Sequence, residues 1–223
     1  MSKPQKKIVG VILAGGAGTR IGGAKGLQPF GNGTLIDAVA ARVKHQVGAL
    51  AVNIAPGDLG SYFSRFSGRF PLIMDTLAPG TGPLAGVVTG LEWATSHSGV
   101  EWLATFPCDT PFLPGDLVER LLAGSVPGHP VAAEDGDRLH GVCALWPVSC
   151  AAALRKGVGS GRLRSMISAL KTLGGTRCEI SGRDAFFNIN TLEDLKRAEA
   201  MAAVGARALP SAPAAGALRA RKG

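Results

Sequence analysis

The stretch VGVILAGGAGTRIGGAKGLQPF, residues 9–30, decides the fold of this chain. It opens with an apolar run of strand length and then breaks into a glycine-rich segment. Glycines let several backbone N–H groups turn toward one point without interference from Cβ atoms, while Arg20 and Lys25 add positive charge. Such a loop suits a ligand with several negative charges, for example a triphosphate. A surface turn with two solvated cations is the plainer alternative.

Two common nucleotide-binding loops do not fit this spacing. The dinucleotide fingerprint G-x-G-x-x-G, started at Gly16 and Gly18, needs a glycine where Ile21 stands, and the next predicted strand does not end in an acid. The P-loop pattern fails as well, because Lys25 follows an alanine and Gly26 stands where serine or threonine should bind magnesium.

Outward from this loop, apolar runs of strand length alternate with helix-like segments. The rhythm predicts βαβ units around a mostly parallel sheet that is buried on both faces. The less regular second half predicts one antiparallel strand, so we expect an α/β protein with a Rossmann-like sheet. The predicted strands are 8–14, 49–54, 70–74, 100–106, 130–134, 139–146, 176–180 and 185–189, and the predicted helices are 35–46, 58–66, 84–97, 115–123, 148–155, 161–173 and 191–202.

Polar side chains follow three of the predicted strands. Asn53, Asp75 and Asp109 each stand at a strand's carboxyl end, the edge where open α/β sheets bind ligands. A carboxylate at 109 could hold Mg²⁺, which prefers one or two carboxylates together with phosphate oxygens and water. Asn and Asp can also read the edge of a base, and an Asp accepts well from the N1–H and amino group of guanine. The alternative for Asp109 is a turn cap before Pro111.

Length and composition describe one folded domain. The chain has 223 residues, of which 46% are hydrophobic and 18% charged, and no apolar stretch is long enough to cross a membrane. We expect a soluble protein without a secretory signal. Four cysteines without a C-x-x-C pair indicate buried thiols in the reducing cytoplasm.

The net charge of +8 lies mostly in the tails. Residues 1–7 carry three cations, residues 204–223 carry four, and neither segment contains an acid, which leaves +1 for the body. A nucleic-acid module should carry its cations on a folded face beside aromatic residues, so we expect no specific nucleic-acid partner. The chemistry is assigned to a single domain over residues 1–203, and residues 204–223 are predicted to be a disordered basic tail rich in Ala and Pro.

Five motifs, in order over most of the chain, resemble the MobA-type molybdenum cofactor guanylyltransferases of the nucleotidyltransferase superfamily. The first motif alone is shared with sugar-nucleotide and cytidylyltransferases, whereas the third to fifth are narrower. The motifs are LAGGAGTRIGGAKGL at 13–27, VN at 52–53, DTLAPGTGPLAG at 75–86, PCDTPFLP at 107–114 and FFNINTLEDL at 186–195.

The resemblance implies a three-layer nucleotidyltransferase fold and transfer of GMP from GTP to the terminal phosphate of molybdopterin or Mo-molybdopterin, with Mg²⁺ as cofactor and pyrophosphate as product. It also implies transient contacts with cofactor-biosynthesis proteins and molybdoenzymes. The implied catalytic residues are Arg20, Lys25 and Asp109, with Asp109 as metal ligand. GTP binding would involve Leu13, Ala14, Gly15, Lys25, Asn53, Asp75 and Asp109, and Asn188 and Asn190 would lie near the pterin or the metal.

One position departs from the family pattern. The family usually has Asp immediately before the lysine, and here that residue is Ala24. Two other functions therefore stay open. One is a cytidylyltransferase of the same group, acting on molybdopterin or a sugar-like phosphate. The other is a nucleotide-binding regulator without turnover.

His140 is the remaining candidate, at the start of a predicted strand. It could face the pterin, but a satisfied surface or turn histidine is the simpler interpretation, because the neighbouring sequence offers no catalytic partner. Arg162 and Arg164, near a predicted helix start, could bind the acceptor's phosphate or lie on a solvated face.

Overall fold

The fold is described from a computed structural model over residues 7–15, 24–66, 68–78, 80–182 and 184–208. Its centre is strand β1, Ile8–Leu13, and all six of its residues are buried. Side chains of β1 alternate between the two sides of the sheet, with Ile8 and Ile12 in one apolar cluster and Val9 and Val11 in the other. An apolar strand with both faces covered is what the opening stretch predicts.

Seven strands form the central sheet in the order β5-β4-β1-β6-β8-β7-β9. All neighbouring pairs are parallel except the two that involve β8, which runs against both β6 and β7. The predicted sheet, mostly parallel with one antiparallel strand, is therefore confirmed. The strands after β1 are β2 Pro29–Phe30, β3 Gly33–Thr34, β4 Ala49–Ile54, β5 Leu72–Met74, β6 Trp102–Pro107, β7 Val131–Asp135, β8 Arg138–Pro147 and β9 Thr176–Glu179.

Helices cover both faces of the sheet and give the three predicted layers. Helices α1, α2 and α4 pack in one cluster, and α3, α5 and α6 pack in the other. Helix α7 closes a smaller cluster around Phe30 and Leu35. The helices are α1 Leu35–Val43, α2 Leu59–Phe66, α3 Pro83–Thr95, α4 Leu117–Ala123, α5 Ala151–Gly159, α6 Met166–Thr172 and α7 Leu192–Ala208.

Side-chain caps fix the starts of two helices beside the site. Thr34 and Asp37 form a reciprocal capping box at α1, and Asp37 also pairs with Arg65 and Arg69. At α7, the Thr191 hydroxyl accepts from the amide of Asp194 at 3.0 Å. The helix predicted over 191–202 therefore begins directly after this cap.

Three details of the predicted elements need correction. The predicted strand at 185–189 is wrong, because these residues form turns and loop after Asp184, whose φ is +60°. The short β2–β3 ribbon was not predicted, since two-residue strands leave no periodic pattern. Helix α7 reaches Ala208 and so enters the segment predicted as tail, whereas 209–223 lie outside the described residues.

Within the described residues, no helix has the length and apolar character needed to cross a membrane. All four cysteines are free thiols, and only Cys178 is not buried.

Candidate active site

A cleft of about 340 Å³ opens at the carboxyl edge of the parallel strands. β1, β4, β5 and β6 all end here, so the segments that follow them meet around one space. The helix that follows β5 also starts here, with Pro83 at its first turn. The lining residues are Leu13, Gly15, Lys25, Asn53, Asp75, Gly82, Pro83, Pro107, Cys108, Asp109, Val142 and Asn188.

Asn53 and Asp75 form one end of the cleft. The Asn53 amide nitrogen donates to Asp75 Oδ1 at 2.8 Å and to the Ile73 carbonyl at 3.3 Å. Asn53 is buried, and burial raises the pKa of Asp75, although the hydrogen bond from Asn53 acts in the opposite direction. Because Asn53 holds one carboxylate oxygen, the other oxygen of Asp75 keeps a defined direction toward the cleft.

Two glycines leave room for this pair. A Cβ atom at Gly86 would lie 2.2 Å from Asn53 Oδ1, a distance that no side chain tolerates. A Cβ atom at Gly15 would lie 3.1 Å from Asp75 Oδ2. The backbones of β1's end and of α3 therefore approach the two polar side chains as closely as only glycine allows.

The other end of the cleft holds four polar side chains, called the cation cluster below. The ammonium of Lys25 lies 2.5 Å from Asp109 Oδ2, 2.7 Å from Asn190 Oδ1 and 3.4 Å from Asn188 Oδ1. The side chains of Lys25 and Asp109 are only 16% and 14% exposed. One cation is thus held by three oxygens from two segments far apart in sequence.

A short 3₁₀ turn, Lys25–Leu27, positions the lysine. Its middle residue, Gly26, is buried, and a Cβ atom there would lie 2.6 Å from Ile36 Cδ1. The turn is therefore pressed against helix α1 and against the fully buried Tyr62 of α2. In the sequence, Gly26 stands out only as a departure from the P-loop pattern. No local pattern indicates that it packs against α1 and α2.

The loop before α7 brings both asparagines to the site. The amide of Ile189 donates to the Asp109 carbonyl at 3.0 Å, and the Ile189 side chain is fully buried. Asp194 Oδ2 accepts from the amides of Asn190 and Thr191, and these hydrogen bonds lower the pKa of Asp194. Ile189 is anchored, so the residues on either side of it face Lys25.

The candidates named from sequence lie as follows. Leu13, Gly15, Asn53 and Asp75 line the cleft, while the buried Ala14 donates its amide to the Asn53 carbonyl at 2.8 Å. Lys25, Asp109, Asn188 and Asn190 come together in the cation cluster. Arg20 lies outside the described residues.

Val142 was missed by the sequence reasoning, since an apolar residue in an antiparallel strand carries no motif. It reaches the cleft because β8 runs antiparallel beside β6, which places the start of β8 next to the end of β6.

His140 is not the satisfied surface or turn histidine that the sequence favours. Its ring stacks on Phe186, with centroids 4.1 Å apart and planes at 15°. Its Nε2 is buried without a hydrogen-bond partner among the described residues. Burial, and next the charge of Arg138, lower the pKa of His140, so the neutral ring serves as a packing group behind the 184–191 loop.

The donors at the cation cluster fit a hard divalent cation. Within the described residues no group of three His, Cys, Asp or Glu side chains forms a protein-only metal site. The cluster instead offers one carboxylate and two amide oxygens around one point, and a site of this kind leaves room for phosphate oxygens and water. The neighbouring Cys108 thiol stays neutral, since burial, and next the charge of Asp109, raise its pKa to about 12.

Comparison with known proteins identifies relatives over most of the chain. The family model described as MobA-like NTP transferase domain matches residues 10–173. A molybdenum cofactor guanylyltransferase of Mesorhizobium japonicum is 39% identical over 202 residues, which cover 87% of this chain and 95% of that protein. One from Acidiphilium cryptum is 45% identical over 194 residues, which cover 85% and 93%.

Solved structures share the fold. Molybdopterin-guanine dinucleotide biosynthesis protein A of Archaeoglobus fulgidus has a TM-score of 0.71 at 24% identity, covering 88% of this chain and 99% of that one. Rv0371c of Mycobacterium tuberculosis, solved in complex with manganese, has a TM-score of 0.60 at 16% identity, covering 86% and 97%. The family model and the relatives carry the assignment beyond the fold: the chain belongs to the MobA-like NTP transferases and is a nucleotidyltransferase.

Proposed function

We propose that this enzyme transfers GMP from GTP to the terminal phosphate of molybdopterin, or of Mo-molybdopterin, and releases pyrophosphate. The observation that carries the proposal is one cleft with the hydrogen-bonded Asn53–Asp75 pair at one end and the cation cluster at the other. The names of the relatives from M. japonicum and A. cryptum support the same reaction.

The Asn53–Asp75 pair favours guanine over cytosine. Guanine presents two adjacent donors, N1–H and the 2-amino group, and a carboxylate accepts from both. Cytosine presents its acceptor N3 beside its amino group, so the same carboxylate would face a lone pair. Asp75 is fixed through Asn53 and cannot turn away from that conflict.

At the other end, Asp109 would hold Mg²⁺, and Asn188 and Asn190 provide further oxygen ligands. The manganese complex of Rv0371c supports the use of a divalent ion in this fold. When bound, such an ion neutralises charge on phosphate oxygens and orients them for in-line displacement.

The transfer needs little acid–base help from the protein. A phosphate monoester is already a nucleophile at neutral pH, and the described lining residues include no histidine. The chain's part is to position the two substrates and to offset the charge that builds up on the departing pyrophosphate. Lys25 carries that role among the described residues, and Arg20 is the second candidate.

We place the acceptor near Asn188 and Asn190, at the end of the cleft opposite the Asn53–Asp75 pair. The reaction belongs in the cytoplasm, and delivery of the finished cofactor requires transient contacts with cofactor-biosynthesis proteins and molybdoenzymes. No membrane or specific nucleic-acid partner is required.

The test is a nucleotide-dependence assay on the purified chain. Molybdopterin-bearing acceptor and Mg²⁺ are incubated with GTP or with CTP, and the mass of the product is measured. We expect the guanylated product and pyrophosphate with GTP only, and neither product with Asp109→Ala. Product with CTP would assign the chain to the cytidylyltransferases. Binding of GTP without any product would make it a regulator.

A further inference from the structure

The ammonium of Lys25 stands where the divalent cation of the proposed reaction should stand. Its three partners, one carboxylate and two amide oxygens, are the donor set that the cation cluster offers to a metal. A protonated amine and a metal ion both need the Asp109 Oδ2 lone pairs at short range. The two cations therefore compete for one position.

The remaining acceptors nearby are already engaged. Asp109 Oδ1 accepts from the Thr110 hydroxyl at 3.2 Å. Asp75, the other acid among the described lining residues, is held by Asn53 at the far end of the cleft. Of the two Asp109 oxygens, Oδ2 is the one that Lys25 binds, at 2.5 Å.

The segment that carries Lys25 offers the lysine no alternative acid. Ala24, at the start of the 3₁₀ turn, has no side-chain group that could pair with an ammonium. Within the part of the chain that the structure describes, the ammonium of Lys25 donates to Asp109, Asn188 and Asn190. Asp194, the acid of the loop that carries the asparagines, already accepts through Oδ2 from the amides of Asn190 and Thr191. Once expelled from the cluster, the lysine would find a strong acceptor in the phosphates of a bound nucleotide.

We infer that Lys25 is a built-in occupant of the metal position, and that a divalent cation binds only by exchanging places with it. The inference rests on the metal site of the proposed function. The exchange makes metal and nucleotide binding mutually supportive, because the nucleotide supplies the anion that receives the expelled lysine. Without nucleotide, metal affinity is reduced by the fraction of time that the position is vacated.

The first test reads the position of Lys25 directly. Wild-type protein without nucleotide is treated with an amine-acetylating reagent, with and without Mn²⁺, and the modification of each lysine is followed by mass spectrometry. Mn²⁺ should speed the modification of Lys25 about fivefold or more, because a vacated ammonium loses its hydrogen-bonded protection. The exposed Lys44, at the end of α1, should not change and serves as the internal control. An unchanged or slower rate at Lys25 overturns the exchange.

The second test measures Mn²⁺ affinity by electron paramagnetic resonance, again without nucleotide. Lys25→Met should bind Mn²⁺ about tenfold or more tightly than wild type, since the competitor is gone. Arg197→Met is the matched control: Arg197 lies over the Phe187 ring at 4.8 Å, so its loss removes a nearby positive charge without freeing a donor of the cluster. Three results would contradict the inference. Lys25→Met could bind Mn²⁺ with the same affinity as wild type, it could fail to bind Mn²⁺, or both variants could gain Mn²⁺ affinity by the same factor.

Neither measurement uses GTP or the pterin acceptor. If these two measurements contradict the exchange, the proposed transfer reaction is still tested separately by the assay of product mass. If the assay of product mass fails instead, the acetylation and Mn²⁺ results still decide the exchange.

Discussion

At position 86 the backbone of α3 passes so close to Asn53 that the Asn53–Asp75 pair depends on the absence of a side chain. A Cβ atom there would collide with Asn53 Oδ1 and, at 2.9 Å, with Leu13 Cδ2. Asn53 cannot retreat, because it is buried and its amide is bound to Asp75 and to the Ile73 carbonyl. A methyl group at this position would therefore displace Asn53 and disturb the Asn53–Asp75 end of the cleft.

We expect Gly86→Ala to raise the KM for GTP about tenfold or more, since about 1.4 kcal/mol of base recognition is lost when Asp75 turns. The kcat should change much less, because the cation cluster is untouched. Steady-state kinetics with GTP checks this. Gly60→Ala, in α2 with open space around it, is the matched control and should leave both constants unchanged. A KM equal to that of wild type would show that Asp75 does not contact the base.

Lys25 gives the second prediction for a single residue. Lys25→Ala should lower kcat with GTP about a hundred- to a thousandfold, the loss seen when one preorganised donor to developing charge is removed. The variant should still fold, although less stably, since the Gly26 contacts hold the turn while Asp109 loses its ion-pair partner. Lys44→Ala is the control for loss of a surface cation. Near-normal turnover by Lys25→Ala would remove Lys25 from the catalytic machinery.

At the scale of elements, the β7–β8 hairpin supports the loop that carries the two asparagines. His140 of β8 stacks on Phe186, two residues before Asn188, and its buried Nε2 has no partner within the described chain. Protonating this ring would place a charge beside the cation of Arg138 and leave Nε2 without an acceptor among the described residues, while Asp135 acts in its favour. The hairpin therefore depends on a neutral histidine.

This dependence predicts a loss of stability in acid. The pKa of His140 is lower in the folded chain than in the unfolded one, so the unfolded chain takes up the proton first as the pH falls through about 6.5. The free energy of unfolding should consequently fall between about pH 7.5 and 5.5 in the wild type. His140→Phe keeps a stacked ring without a titrating nitrogen and should flatten this slope. Urea unfolding of both proteins at the two pH values measures it, and identical slopes would contradict the role of His140.

The sequence predicts well those helices and strands whose apolar residues recur at a regular spacing. Strand β1 and the alternation of helices and strands follow from local apolar patterns, and so does the convergence of Asn53, Asp75 and Asp109 at one edge. The 185–189 segment misled the prediction because a short apolar run is equally compatible with a strand and with an anchored loop. Its Ile189 is buried against Phe30, Leu35 and Ala198, contacts that join distant parts of the chain.

The same limit applies to the site. Sequence named Lys25, Asp109, Asn188 and Asn190 from motifs, but nothing local says that the lysine meets the two asparagines. That contact depends on the hydrogen bond from the Ile189 amide to the Asp109 carbonyl, which joins two residues 80 positions apart in the chain. A pairing across such a separation leaves no signal in either segment alone.

At the scale of the whole molecule, two large clusters cover the faces of the sheet, and α7 packs on a third, smaller cluster. Leu195 and Ala198 of α7 pack on the Phe30 cluster, which also holds Ile189. The helix therefore ties the loop of Asn188 and Asn190 to the body. Residues 204–223 were predicted as a tail without a role in the fold, yet α7 extends to Ala208.

This arrangement predicts that residues after Ala208 can be removed without loss of stability or activity, whereas α7 cannot. Truncation after Ala208 removes three cations of the net charge and leaves every packed residue that the structure describes, so Tm should stay within about 2 °C and turnover should not change. Truncation after Thr191 removes α7 and exposes the Phe30 cluster, and Tm should fall by about 10 °C or more, since several buried side chains lose their contacts. Differential scanning calorimetry and the product assay compare the two truncations with the full chain. Loss of stability or turnover on the shorter truncation would mean that residues 209–223 take part in the fold or the site, which the prediction denies.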